Sequence, residues 1–369
     1  LDNLYLPEVD MDSTIEGRET WLDMLEAEAF KLTGNEAELY QQKSKFKPKG
    51  FMRVENNWGG ISTEGVPYIK ITARRWFTLR QAYTSLSGYF FINHEFKGSV
   101  NYQMKFTHSF AMINMSPVGT LTAYKDGPKR FGHWDYTSWQ GMSSYLWKII
   151  FVGLSDFYNV HAPNYNLPTP PYVKIRAGSA NTAYCHMLST TCGGTVGFFV
   201  NDIKIGEKNS TYRNIYRRTV HELAHALHWK MMANDNTTRN YRMINSRQMV
   251  REGWACAFTD FTMNDAGLGW RYPQCGDGVS RAEMIADGYP RVLGRDLMDA
   301  NNQFFTTPNC DVFDIVQGVP LEDVFNSLQG VGNTVSFSDW VSMQRWRDNL
   351  MQMHPAQAMQ ILIYFDNYN

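Results

Sequence analysis

One stretch constrains this chain more than any other: Thr219-Val220-His221-Glu222-Leu223-Ala224-His225-Ala226-Leu227-His228-Trp229. Apolar residues recur at Ile215, Val220, Leu223, Ala224, Leu227 and Met231, the spacing of a helix with one buried stripe. Asn209-Ser210-Thr211 supplies capping residues just upstream. Together they predict a long helix over 211–232. Inside it stands the pattern His-Glu-x-x-His. Residues four apart on a helix share a face, one turn apart, so His221 and His225 can point their imidazoles at one ion. Glu222 lies about 100° around from His221, beside that ion, where its carboxylate can take a proton from a bound water.

A catalytic zinc needs a third protein ligand and one open position. His228 shares the face of His221 and His225, but it stands about 10 Å from His221 along the helix axis, against a Zn–N bond of about 2 Å. It is expected behind the ligands, facing substrate or in the core. Glu252 is the better candidate. It lies in Met249-Val250-Arg251-Glu252-Gly253-Trp254-Ala255-Cys256-Ala257-Phe258, which predicts a second helix over 246–263 opened by Ser246. Gly253 costs that helix about 1 kcal/mol of propensity, and close helix–helix contact would explain it. A glutamate on a crossing helix completes His, His, Glu and water.

His-Glu-Leu-Ala-His followed by Glu-Gly-Trp-Ala resembles the gluzincin zinc metallopeptidases, with local likeness to aminopeptidase-N-type and glycyl-aminopeptidase-type catalytic domains. The resemblance implies Zn²⁺ held by His221, His225 and Glu252, with Glu222 as general base and a protein or peptide as substrate. It also implies a zincin-like catalytic domain. The GxMEN signature of the aminopeptidases is absent upstream, and the metzincin extension is absent too, since His228 and Met231 stand where Gly and His are required. An oxyanion donor beside the metal is usually Tyr or His. Tyr289, in Asp287-Gly288-Tyr289-Pro290, and Tyr272 are the downstream candidates. Asp260 could orient a histidine ligand, but is expected on the helix surface. Cys256 is expected as a small buried thiol. Two other readings stay open: an inactive or adhesive surface protein on a zincin scaffold, and a zinc hydrolase of a non-protein amide in a cell-wall or glycopeptide substrate.

The 369 residues carry 35 Lys and Arg against 36 Asp and Glu, which does not favour nucleic acid as a partner. No run of 18 apolar residues exists, so no membrane-spanning segment is expected. The chain begins with Leu1, which fits a processed or trimmed chain. Aromatic residues reach 14%, which fits an extracytoplasmic, secreted or surface-anchored protein. In that setting Cys185 and Cys192 are expected to be bridged, because the turn-prone Ser189-Thr190-Thr191 can bring their Cα atoms within reach.

Along the chain, Ser13-Thr14 caps a helix running through Phe30 to near Gly34, and a short helical piece follows to about Gln42. Lys43 to Gly50 reads as a connector. Residues 50–126 alternate in strand fashion around Tyr68–Ala73 and Tyr102–Phe106, with glycine turn signals between. Gly65-Val66-Pro67 and the Thr84-x-x-x-Gly88-x-Phe90 pattern resemble carboxypeptidase-regulatory-like β-sandwich modules. From Gly127 a new segment begins: a helix from Trp139 to about Val160, a proline-rich connector, then strands at 172–176, 195–200 and 203–205. By position, 193–200 is the candidate cleft-edge strand that would bind an extended peptide. The expected class is α+β: an N-terminal helix and linker (1–49), a small antiparallel β-sandwich-like module (50–126), and a mostly helical zincin-like domain with a small upstream sheet (127–369).

Overall fold

The computed structural model describes residues 15–34, 45–115, 121–169, 172–179, 183–184, 203–206, 210–233, 248–268, 304–307, 310–313, 318–328 and 339–366. In chain order the elements are α1 (Ile15–Leu32), β1 (Lys45–Phe46), β2 (Lys49–Asn56), β3 (Ser62–Gly65), β4 (Lys70–Arg75), β5 (Thr78–Tyr83), β6 (Tyr89–Phe91), β7 (Phe96–Lys97), β8 (Val100–Lys105), β9 (Ala111–Asn114), β10 (Tyr124–Arg130) and β11 (Tyr136–Ser138). There follow α2 (Ser143–Asp156), β12 (Val173–Ser179), β13 (Ala183–Tyr184), β14 (Ile203–Gly206), α3 (Tyr212–Ala233), α4 (Gln248–Asp265), β15 (Phe304–Thr307), β16 (Cys310–Phe313), α5 (Leu321–Ser327), α6 (Asp339–Met353) and α7 (Ala358–Asp366). The class is mixed α and β, as expected. Among the described residues no helix is long and apolar enough to cross a membrane.

The chain divides into two compact units, residues 1–53, 64–106 and 124–137 in the first and 54–63, 107–123 and 138–369 in the second. The first unit is built on an antiparallel sheet in the order β10-β8-β4-β5. Its strands alternate because one face is buried: Ile71, Ala73, Val100, Tyr102 and Met104 point inward and are fully or almost fully covered. Helix α1 belongs to this unit. Its Phe30 packs on Trp76 with ring centroids 4.6 Å apart, and its Glu26 pairs with Arg75 at 2.8 Å. Residues 43–50, read as a connector, instead supply β1, which pairs with β7, and the start of β2, which pairs with β6. A lysine-rich composition hid an edge strand there.

The two glycine motifs of the module meet. The Thr84 hydroxyl donates to the Val66 carbonyl at 2.7 Å and accepts from the Ile69 amide at 2.8 Å. Gly65 runs so close to Ser87 that a Cβ there would fall 2.2 Å from the Ser87 carbonyl oxygen. A side chain at 65 would therefore force the two backbones apart.

The second unit's sheet has the order β13-β14-β12-β9. Strand β12 is parallel to both neighbours, while β13 is antiparallel to β14. Ile113, Ile175 and Ile203 stand side by side across three strands and are fully buried, as expected for parallel strands covered on both faces. Helix α3 packs along β13 and β14, and α2 along β12. Gly153 on α2 lets it approach α3 closely, because a Cβ there would meet the Thr219 Cγ2 at 3.1 Å. Helix α2 then continues through a π-helical turn, Phe157–His161.

Candidate metal centre

Helix α3 spans Tyr212–Ala233, within a residue of the expected bounds. Its apolar stripe is in place: Ile215, Val220, Leu223, Ala224 and Leu227 are fully buried. The stripe fixes the rotation of the helix and so the direction of the histidines. His221 Nε2 and His225 Nε2 lie 3.2 Å apart, with their rings nearly perpendicular at 89°. Two nitrogens bound to one tetrahedral zinc at 2.0–2.1 Å would stand about 3.3 Å apart. The pair therefore fits one zinc ion held between the two rings. His225 is 4% exposed and Glu222 6%, so an imidazole and the carboxylate of the motif are both taken out of water. His228 is buried too, at 2% exposure, one of the positions its height along the axis predicts.

Helix α4, Gln248–Asp265, is fastened to α3 at the motif itself. The Trp254 indole N–H donates to the Ala224 carbonyl at 2.9 Å, and Ala224 lies between Glu222 and His225. Trp254 is fully buried, packed on Phe258 at 5.4 Å and Phe325 at 5.2 Å between centroids. Glu252 stands two residues before Trp254 on this helix; its side chain lies outside the described residues. Among the described residues no group of three His, Cys, Asp or Glu side chains gathers as a metal cage. Cys256 is a buried free thiol, as expected. Asp260, expected on the surface, is 1% exposed. Thr259 and Thr262 beside it on α4 are fully buried as well, so this side of the helix is enclosed. The candidate donors Tyr289 and Tyr272, the Cys185–Cys192 bridge and the 193–200 strand lie outside the described residues.

A polar cluster, buried at Tyr216 and His161 and open to solvent at Asp265, lies towards the N-terminal end of α3. Tyr216 donates to Asp156 Oδ2 at 2.9 Å, and its oxygen lies 3.1 Å from His161 Nε2. With the Tyr216 hydrogen committed to Asp156, the neutral His161 ring presents Nε2–H to that oxygen. His161 Nδ1 lies 4.0 Å from Asp265 Oδ2, which also accepts from the Tyr165 hydroxyl. Burial pushes the His161 pKa down to about 4, against the opposing pull of the Asp265 carboxylate. Burial, and then the hydrogen bond to Asp265, push the Tyr165 hydroxyl upward. Tyr216 thus ties α2 and the π turn to α3, and Tyr165, just after the π turn, is bonded to the end of α4. Sequence reading missed this set. Its members are up to about a hundred positions apart and follow no local period, so the one local cue was the buried Tyr216 one turn and a half before His221.

Searches against protein-family models, curated proteins and solved structures find no match for this chain.

Proposed function

We propose that this protein is a zinc-dependent metallopeptidase of gluzincin type, acting outside the cytoplasm. The observation that carries the reading is the 3.2 Å approach of the His221 and His225 Nε2 atoms on a helix whose Glu222, next in sequence to His221, is buried. Zinc bound there supplies Lewis-acid polarisation of the scissile carbonyl and acidifies a water. His221 and His225 hold the ion from one helix face, and Glu252 is the proposed third ligand from α4. Glu222 takes the proton of the attacking water and returns it to the leaving amine. Trp254 positions α4 against the motif by its bond to the Ala224 carbonyl. Tyr289 is the proposed donor to the developing oxyanion.

The test compares zinc content and peptide cleavage on the same preparations of wild type and Glu222→Gln. The glutamine keeps size and shape but cannot take a proton. Zinc should be retained while turnover falls by about 10²–10⁴-fold or more. Near-normal turnover with zinc bound defeats the mechanism. Loss of zinc together with activity would make Glu222 a ligand instead of a base. In parallel, Glu252→Ala should release zinc under mild chelation; a variant that keeps one tightly held zinc per chain removes Glu252 from the ligand set.

A further inference from the structure

The outer face of the first unit's sheet presents three rows of side chains, each row running across all four strands. Cα partners directly opposite one another place Tyr83, Lys70, Lys105 and Tyr124 in the first row, and Gln81, Thr72, Gln103 and Asp126 in the second. The third row is Leu79, Arg74, Asn101 and Lys129. Strands stand about 4.8 Å apart, so Tyr83 and Tyr124 mark the ends of a row roughly 14 Å long. Both are well exposed, at 45% and 41%, while Lys70 and Lys105 between them are half-buried and Thr72 in the second row is buried.

Two properties of this face are unusual for a solvated sheet. Lys70 and Lys105 are direct cross-strand partners, and like charges directly opposite destabilise a sheet. Among the described residues neither lysine takes part in an ion pair. The face also concentrates charge. Lys70, Arg74, Lys105 and Lys129 face a single carboxylate, Asp126, which already accepts from Gln103 Nε2 at 2.8 Å, although the whole chain is balanced at 35 cations to 36 anions. An anion seated between the lysines would offset a repulsion that the free sheet carries.

We infer that this sheet face docks an acidic polysaccharide, one whose sugar rings bear carboxylates. The Lys70–Lys105 pair takes a carboxylate by charge-assisted hydrogen bonds. The exposed rings of Tyr83 and Tyr124 offer flat apolar faces to sugar rings on either side, each with a polar tip. Gln81, Gln103 and Asn101 carry paired donors and acceptors that match neighbouring sugar hydroxyls. Single-stranded nucleic acid fits less well. Its successive bases stack on closely spaced aromatics, whereas the row has no aromatic residue between its two ends.

The full chain is run by affinity electrophoresis through gels containing polygalacturonate, with neutral galactan and a single-stranded oligonucleotide as comparison ligands. Polygalacturonate should retard the protein, less so as salt rises, and galactan should not. The Lys70→Gln/Lys105→Gln variant should weaken retardation about tenfold or more, the equivalent of about 1.4 kcal/mol, and melt no lower than wild type because a repulsion has gone. Lys129→Gln and Tyr124→Ala, on a different strand, should each weaken it measurably and serve if the double variant misfolds. Absence of retardation, or retardation unchanged in these variants when they are folded, overturns the inference. Tighter binding of the oligonucleotide, abolished by the same changes, would overturn it in favour of nucleic acid. Peptide cleavage plays no part in the readout, so the result stands apart from the proposed peptidase.

Discussion

In the first unit's sheet β4 and β5 are neighbours in sequence, joined through Trp76 and Phe77, and every pairing is antiparallel. In the second unit's sheet β9, β12 and β14 run parallel, though they come from positions 111, 173 and 203. The first sheet buries one face and leaves the other partly open, with Thr72 enclosed at its centre and Lys70, Gln103 and Lys105 half-buried. The second has its central isoleucines fully covered and carries the helix of the metal motif. Parallel pairing demands long connections, so the platform under α3 is assembled from segments that local pattern cannot link. The candidate site thus rests on the less local of the two sheets. Damage there should reach the candidate metal site, while damage to the hairpin sheet should not.

The sharpest way to break this contrast is a matched pair of cavities. Ile175→Ala in β12 and Ile71→Ala in β4 each remove a fully buried side chain and should cost about 2–5 kcal/mol. Ile175→Ala should also lower zinc content and peptide cleavage, whereas Ile71→Ala should lower the melting temperature of its unit with zinc content preserved. Equal loss of zinc in both would erase the distinction.

Acid should act on the second unit through His161. His161 is neutral in the folded state because its pKa is depressed to about 4, while the unfolded ring titrates near its ordinary value of about 6.5. Folding stability from this group is therefore complete above about pH 6.5 and is lost as pH falls toward 4, by about 3 kcal/mol. Denaturant melts of wild type and His161→Gln, from neutral pH down to that range, should converge as the pH drops. Parallel curves would remove His161 from the acid response.

The smallest effect sharpens the link between α3 and α4. Trp254→Phe keeps a large ring but loses the hydrogen bond to the Ala224 carbonyl, at a cost of about 1 kcal/mol. Zinc should then leave more readily to a chelator at a nearly unchanged melting temperature. An unaltered zinc off-rate would show that packing alone holds the two helices in register.

Much of this architecture is legible in the sequence. The stripe from Ile215 to Leu227 names α3 almost to the residue, and Tyr102 and Met104 announce β8 by alternation. What escapes has physical causes. Ala111–Asn114 falls inside the expected 50–126 module without a strand assigned to it, yet it pairs with Val173–Arg176, because register across such a distance is chosen by burial rather than by neighbouring residues. Lys45–Phe46 is masked by lysines, which edge strands tolerate. Asp260 looks like a surface residue on composition, and only the packing of α4 reveals that it is enclosed. The histidine pair was legible because a helix fixes the geometry of residues four apart; the His161 chain was not, because its partners meet only in the folded unit.

The Trp254 bond ends on a main-chain oxygen. A carbonyl is present whatever residue occupies position 224, so no substitution there can delete the acceptor, and the position is answerable only for its size. All the specificity of the tether is written on α4. A lineage could therefore vary position 224 among small side chains and keep the bond between the two helices, while a change at 254 that removes the indole N–H would lose it. Sequence drift around the motif and integrity of the motif are, at this joint, separate matters.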